Sequence, residues 1–382
     1  MEIGIKGFGY VHSGGLGNHN TPNVVDDGSF IQWSNQLGYL VAALPSKLKE
    51  QLIAQFSNFK WIKHIDPCTL FAIAAMEELK KGLHSSFDQQ EVNLSIGTSR
   101  GASKTLEDYI ELFIKNKSGA LPPLGSPTTT IGNLASITGG YHGVKGHHMV
   151  FSNTCASSIF SIINGCVWIK AGQCGGYIVG GSEAPLTPYT LKQLNALKVY
   201  SHEMNEYPCR AMQLDKKQNT MCLGEAACVF YLEEAGETSI ATIAGWGQSI
   251  DHGKTLTDIS DDGLGIQESM IKALKHAKLS TVDLVITHSP GTILGDRAES
   301  AAIHTVFETL PILYNNKWKY GHTLGASGAL SVMDAVQILR TQMVPAIPYL
   351  CQESMSAKID TVMVNATGFG GGTFSLILKR NQ

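Results

Sequence analysis

Residues 150–166, VFSNTCASSIFSIINGC, hold the turn on which the reading of this chain depends. The run HHMVFSN (147–153) has the length and apolar character of a short strand, while ASSIFSIINGCVWIKAG (156–172) repeats apolar residues at helical spacing. Between them Asn153, Thr154 and Cys155 make a tight passage from strand to helix, which puts the Cys155 thiol at a helix N-terminus. Unpaired backbone N–H groups and the positive end of the helix dipole favour a thiolate there, and later the oxyanion of a thioester adduct. A lone cysteine is more often a small buried apolar residue. Cys155 is therefore a candidate nucleophile, with the structural reading still open beside it.

The same punctuation extends in both directions. Strand-like runs IGIKGFGYV, VNLSIGT, HHMVFSN, GYIVGG and ACVFYLEE precede residue 235, and SIATIAGWG, LVITHS, TVMVNATGF and TFSLILKR follow it. Helical runs lie between them, among them DPCTLFAIAAMEELKKGL, DGLGIQESMIKALKHAK, RAESAAIHTVFETL and GALSVMDAVQILRTQM. Strands alternating with helices predict an α/β fold with largely parallel pairing. Both parts run in the same order, which points to a duplicated pair, 1–235 and 236–382, packed together without a Pro-rich linker. Direct self-alignment is weak, and two unrelated α/β domains would give a similar pattern.

A chain of 382 residues exceeds the usual single core. Hydrophobic residues reach 43% and charged residues only 16%, which points to surface hidden in a subunit contact, or to a large domain with less surface per residue. A net charge of −3 leaves no global basic field for nucleic acid or an anionic membrane. The start, MEIGIKGFGYVHSGG, reads as a first strand and not a signal peptide, and no later apolar run approaches the roughly eighteen residues of a membrane span. A soluble, cytoplasmic protein is expected. The eight cysteines show no C-x-x-C pair and no histidine cluster at zinc spacing, so reduced thiols and no metal site are expected.

Two further stretches carry candidate chemistry. His288 stands in LVITHSPGTILGDRAES directly after an apolar strand, with Thr292, Asp296 and Glu299 before the next helix. His322 stands in NNKWKYGHTLGASGAL, with Lys317 five residues before it. Either imidazole alone would be an ordinary partner of backbone groups at a loop end. Three polar residues at the ends of core strands or loops of an α/β fold point instead to one convergent site. The glycine strings YIVGGSE, YGHTLGASG and NATGFGGGTFS match no phosphate-binding pattern and read as tight turns or close backbone approaches.

In chain order, NTCASS, LGEAACVFYLEE, HSPGTILGDRAE, KWKYGHTLGASG and GFGGG together resemble the β-ketoacyl synthase family, the elongating Cys-His-His condensing enzymes of fatty acid and polyketide synthesis. The resemblance covers nearly the whole chain. It implies the thiolase fold: two duplicated α/β halves with mixed five-stranded sheets in a layered αβαβα core. It also implies that Cys155 takes the acyl chain, that His288 and His322 flank a malonyl thioester, and that Lys317 orients the site through its charge. The N–H groups of Cys155 and Phe369 would form the oxyanion hole, and the Phe369 side chain would gate entry. Gly368 and Gly370 would contact substrate from the same loop. Thr292 would hydrogen-bond the phosphopantetheine arm, and Asp296 and Glu299 would support the site. No cofactor or metal is implied. The implied partners are an acyl carrier protein and a second subunit, in a homodimer or in a heterodimer with a chain-length-factor-like chain.

Three departures qualify the resemblance. Pro290 stands where a second pantetheine-binding threonine is usual, Ser331 where a glutamate near the lysine is usual, and Arg100 where the acyl pocket is usually apolar. Arg100 facing the pocket and Arg100 packing its stem along the wall with its head in water are both open. These departures, and a chain short for the family, point to a polyene or polyketide pathway over bulk fatty acid synthesis. The rival readings are a non-catalytic chain-length-factor partner and a scaffold that binds the carrier protein. Partner subunits of that kind lose the nucleophile, whereas Cys155, His288 and His322 are all present.

Overall fold

The computed structural model describes residues 1–21, 28–83, 92–117, 119–251 and 259–381. Ten strands build its large sheet: β1 (Ile3–His12), β2 (Val92–Gly97), β3 (His148–Phe151), β4 (Gly176–Glu183), β5 (Ala226–Glu234), β6 (Ala241–Ile250), β7 (Leu284–Ile286), β8 (Ile312–Tyr314), β9 (Thr361–Thr367) and β10 (Gly372–Lys379). A short ribbon at Gly15–Asn18 pairs with β1 beside them. The helices that matter for the site are α1 (Pro67–Gly82), α2 (Asn133–Tyr141), α3 (Ser157–Lys170), α4 (Leu264–Ala277), α5 (Ile293–Val306) and α6 (Ser327–Thr341).

The strand order makes the duplication visible. Before residue 235 it is β1-β5-β4-β2-β3, with two antiparallel pairings followed by two parallel ones. After residue 235 it is β6-β10-β9-β7-β8, with the same sequence of pairings. Each half thus arranges its own strands in the order first, fifth, fourth, second, third. The two five-stranded sheets are joined at their edges, because β1 runs antiparallel to β6 from Ile3 opposite Ile243 to Ile5 opposite Ala241. β8 has no counterpart among the strand-like runs read from the sequence. Its three residues are too few to show alternation.

Burial explains the layers. Strand β4 is buried along its whole length, as expected of a strand covered on both faces. Helix α6 is buried almost all round, and α3 nearly so, because they lie in the middle of the protein, α3 against β4 and β2, α6 against β9 and β5, and the two against each other. Helices α1 and α2 cover the outer face of one sheet, and α4 and α5 that of the other. The result is the αβαβα core implied by the resemblance. Small residues let the two central helices meet: a Cβ on Gly328 would lie 2.5 Å from Ile159 Cγ1. The Ala329 N–H donates to Ser158 Oγ at 2.9 Å, which pins the two helix N-termini side by side. Cys155 precedes one of these N-termini and His322 precedes the other. Among the described residues no helix is long and apolar enough to cross a membrane.

Candidate active site

Cys155 occupies the expected turn between β3 and α3. The turn is tight enough to force Thr154 into the left-handed region at φ 49°, which few non-glycine residues adopt. Asn153 N–H donates to Ser157 Oγ at 2.8 Å, and that hydroxyl donates to the Thr154 carbonyl at 2.6 Å. The thiol is buried among Val41, Leu191, Leu194, Met221 and Leu324. This setting corrects one expectation. Burial, followed by the nearby Glu183 carboxylate, pushes the thiol up to about 12 against the opposing charges of Lys317 and Arg100. The helix N-terminus does not prevail over desolvation here, and the group is a thiol at pH 7.

His288 follows β7 and His322 precedes α6. Their ring centroids are 5.3 Å apart with the planes at 79°. Burial, then the Lys317 charge, holds both imidazoles well below their usual value, so both are neutral at pH 7. His322 Nδ1 is buried without a hydrogen-bond partner. The two loops are held by side chains from behind. Glu299 on α5 accepts from His288 N–H at 2.9 Å, Ser289 N–H at 2.6 Å and Ser289 Oγ at 2.9 Å. Asn315 donates to the carbonyls of Thr287 and Ser289 and accepts from Lys317 N–H at 2.8 Å, tying one histidine loop to the other.

Cys155, His288 and His322 open into one cavity of about 290 Å³, together with Thr292, Pro290, Gly368 and Phe369. Leu194, Leu197, Val199, Met221 and Leu294 give it an apolar wall. Phe369 is about half exposed at this cavity. Gly368 is needed for packing, since a Cβ there would overlap Thr154 Oγ1. Thr292 lines the cavity while its hydroxyl also caps α5 by accepting from Gly295 N–H at 3.3 Å.

Other expected residues stand elsewhere. Lys317, Asp296 and Glu299 are buried behind the cavity and do not line it. Burial lowers the Lys317 ammonium, and Glu299 is the charge that opposes this most, although the two form no ion pair within 4.0 Å among the described residues. Asp296 accepts from Gly291 N–H at 3.0 Å, from Met212 N–H at 2.9 Å and from Lys216 Nζ at 2.7 Å. Arg100 does not line the cavity, because its guanidinium donates to Gln193 Oε1 at 2.7 Å. Gly370 does not line it either. It is a turn residue at φ 89° whose added Cβ would meet open space.

Three residues of this neighbourhood escape the sequence reading: Glu183, Asn315 and Lys216. Glu183 and Asn315 each follow an apolar run, in YIVGGSE and PILYNN, and a buried polar residue at a strand end was the available signal. Nothing in the local sequence marks Lys216. Among the described residues no group of three or more His, Cys, Asp or Glu is placed to hold a metal ion.

Comparison with known proteins gives the family and the fold. The family profile "Beta-ketoacyl synthase, N-terminal domain" matches residues 50–238, and "Beta-ketoacyl synthase, C-terminal domain" matches residues 240–350. The 3-oxoacyl-[acyl-carrier-protein] synthase 2 of Vibrio cholerae serotype O1 is 27% identical over 314 residues, 76% of either chain. A solved β-ketoacyl synthase from Burkholderia phymatum superposes with a TM-score of 0.87 over 100% of both chains at 21% identity. A ketosynthase solved with the acyl-carrier protein of a type II PKS, bound to the hexaketide, superposes with a TM-score of 0.85 at 19% identity, over 100% of this chain and 99% of that one.

Proposed function

Because the chain belongs to the β-ketoacyl synthase family, we propose that it catalyses decarboxylative Claisen condensation of an acyl thioester held on Cys155 with a malonyl group brought by an acyl carrier protein. One observation carries this reading: the cysteine at the N-terminus of α3 and two neutral imidazoles share one apolar-walled cavity.

In the first half-reaction Cys155 Sγ attacks the acyl thioester carbonyl. The sulfur–carbon bond forms, the carbonyl electrons move to oxygen, and the N–H groups of Cys155 and Phe369 receive that oxyanion. Collapse expels the carrier thiol, which takes the proton that the cysteine gives up. In the second half-reaction the malonyl carboxylate leaves as carbon dioxide. Its bonding pair becomes the enolate of the carrier thioester. Neutral His288 and His322 each present an N–H to that enolate oxygen, which stabilises the charge without needing a strong base. The enolate carbon attacks the acyl carbonyl on Cys155, and collapse releases the β-ketoacyl thioester and the Cys155 thiolate, which takes a proton from water to restore the thiol. Burial keeps both rings unprotonated, and the charge of buried Lys317 adds to it. The leaving groups carry the electron flow, so the scheme calls on no cofactor.

The apolar wall of Leu194, Leu197, Val199 and Leu294 suits a phosphopantetheine arm, with Thr292 as its polar contact. Pro290 lines the same wall where a second hydroxyl would otherwise stand. That departure is our reason for assigning the chain to a polyene or polyketide pathway. A non-catalytic partner subunit has no need of a cysteine that shares a cavity with two neutral imidazoles, so the catalytic reading is preferred. The test is the intact mass of wild type and Cys155→Ala after incubation with acyl-carrier-protein thioesters. An acyl adduct on wild type alone is expected, and no adduct from any chain length would transfer the chain to the partner-subunit class.

A further inference from the structure

Glu183 ends β4 with its side chain fully buried between two turns that flank Cys155. Its Oε1 accepts from Arg100 N–H at 3.0 Å and from Thr98 Oγ1 at 3.1 Å. Its Oε2 accepts from Ser99 N–H at 2.6 Å and from Gly325 N–H at 2.9 Å. Three donors belong to the loop that follows β2. The fourth belongs to the turn that follows His322, in the other half of the chain.

The backbone is built around this carboxylate. A Cβ on Gly325 would lie 2.6 Å from Glu183 Oε2 and would overlap the Ser99 nitrogen. A Cβ on Gly181, two residues before Glu183, would lie 2.8 Å from the Gly325 carbonyl oxygen. Only side-chain-free backbone fits at either place. Next to Gly325, Leu324 is held at φ 43°, left-handed for a residue with a branched side chain. Strain of that kind persists only where the surroundings over-determine it. Leu324 also lines the cavity and packs in one cluster with Cys155.

We propose that Glu183 is a positioning residue of the condensation site: by accepting from the 98–100 loop and the Gly325 turn together, its carboxylate holds His322 and Leu324 in register with Cys155. The proposal rests on the reading of Cys155 as nucleophile. A carboxylate is the side chain that fits, because it is acceptor-only and offers two oxygens to two pairs of donors. Glutamine would turn an NH₂ group toward one pair of donors and release one of the two turns. Aspartate keeps the charge but is one methylene short. The Glu183 charge also faces the Cys155 and Cys68 thiols, with Lys317 and then Arg100 as the opposing cations on Cys155, and after burial it is the strongest cause holding Cys155 in its thiol form. Burial lifts Glu183 itself to about 7.

The experiment compares wild type, Glu183→Gln and Glu183→Asp. Condensation kcat is normalised to the fraction of chains whose Cys155 is acylated by the carrier thioester, read by intact mass, so misfolded chains do not enter. Displacement by about 1 Å at a reacting group predicts a kcat loss of about 100-fold in both variants, with KM for the malonyl carrier changed less than about threefold. The pH profile of Cys155 alkylation separates positioning from bulk structure: it moves to lower pH in Glu183→Gln, which loses the charge, and stays in place in Glu183→Asp. Wild-type kcat in either variant, or an unmoved profile in Glu183→Gln, overturns the proposal. If Glu183→Gln does not fold, the kcat of Glu183→Asp decides, and failure of both to fold makes Glu183 a determinant of the fold and overturns the positioning role. If wild type neither loads nor condenses, it is the proposed function that has failed, and the alkylation profiles still decide whether Glu183 acts on Cys155.

Discussion

Lys216→Met removes an ammonium that is buried together with its partner. Lys216 Nζ lies 2.7 Å from Asp296 Oδ2, and the two side chains are 2% and 0% exposed. The pair fastens the 212–216 segment to the turn that carries Pro290 and Thr292, since Asp296 also accepts from the N–H groups of Met212 and Gly291. Breaking a buried pair by removing one partner commonly costs about 3–5 kcal/mol, because a charge is left uncompensated. Here the remaining group can take up a proton, and that limits the loss. Burial lifts Asp296 from 3.8 to about 6, against the pull of Lys216. At pH 7 the ionised native carboxyl therefore already costs about 3 kcal/mol relative to the unfolded chain, at about 1.4 kcal/mol per unit of pKa. Without the ammonium the carboxyl keeps its proton, and the cost becomes that of protonating an ordinary aspartate at pH 7, about 4 kcal/mol. The expected destabilisation is the difference, about 1 kcal/mol. Since the native value lies above the unfolded one, the wild-type cost is present above about pH 6 and fades as the pH falls toward 3.8. The effect of the substitution should accordingly vanish near pH 5, where Asp296 is protonated in both proteins, and grow to about 3 kcal/mol at pH 8. Urea unfolding of both proteins at pH 5, 7 and 8 measures this. A loss that ignores pH, or one that is largest at pH 5, refutes the reasoning.

Two further outcomes follow from the site. His322→Ala should leave acyl loading of Cys155 intact while lowering release of carbon dioxide from the malonyl carrier by about 100-fold, the usual size of such a contribution; loss of loading with decarboxylation preserved would reverse the assigned roles. Gly371→Ala should destabilise the fold by about 2 kcal/mol or more, because φ is 83° and the new Cβ would overlap the Asp251 carbonyl. A thermal melt within about 1 °C of wild type would count against that account of the loop.

The motifs NTCASS, HSPG and KWKYGHT were legible as a set in chain order, since a cysteine or histidine taken alone has ordinary structural reasons to stand in each. The duplication was legible only as a repeated order of elements. Its proof is the shared strand order and pairing, which no self-alignment of residues shows. Strand β8, three residues between Pro311 and Asn315, was not read from the sequence. Both placements of Arg100 stayed open in the sequence, because a residue's position in the chain says nothing of where a long side chain ends; in the structure Gln193 holds the guanidinium. Lys216 and Glu183 were missed because their partners lie 80 residues away at Asp296 and between 83 and 142 residues away at Ser99, Arg100, Thr98 and Gly325.

What the sequence determined by itself is therefore what depends on neighbours in the chain: hydrophobic period, the turns between strand and helix, and the identity of the three candidate site side chains. What only the tertiary structure decided is the electrostatic state of those side chains. A helix N-terminus is a local property and favours a thiolate, yet the Cys155 thiol rests near 12 because apolar residues from four distant segments close over it and the Glu183 carboxylate stands nearby. Both imidazoles are neutral for the same reason. Desolvation depends on everything that surrounds a group, and in a layered fold most of what surrounds it comes from elsewhere in the chain.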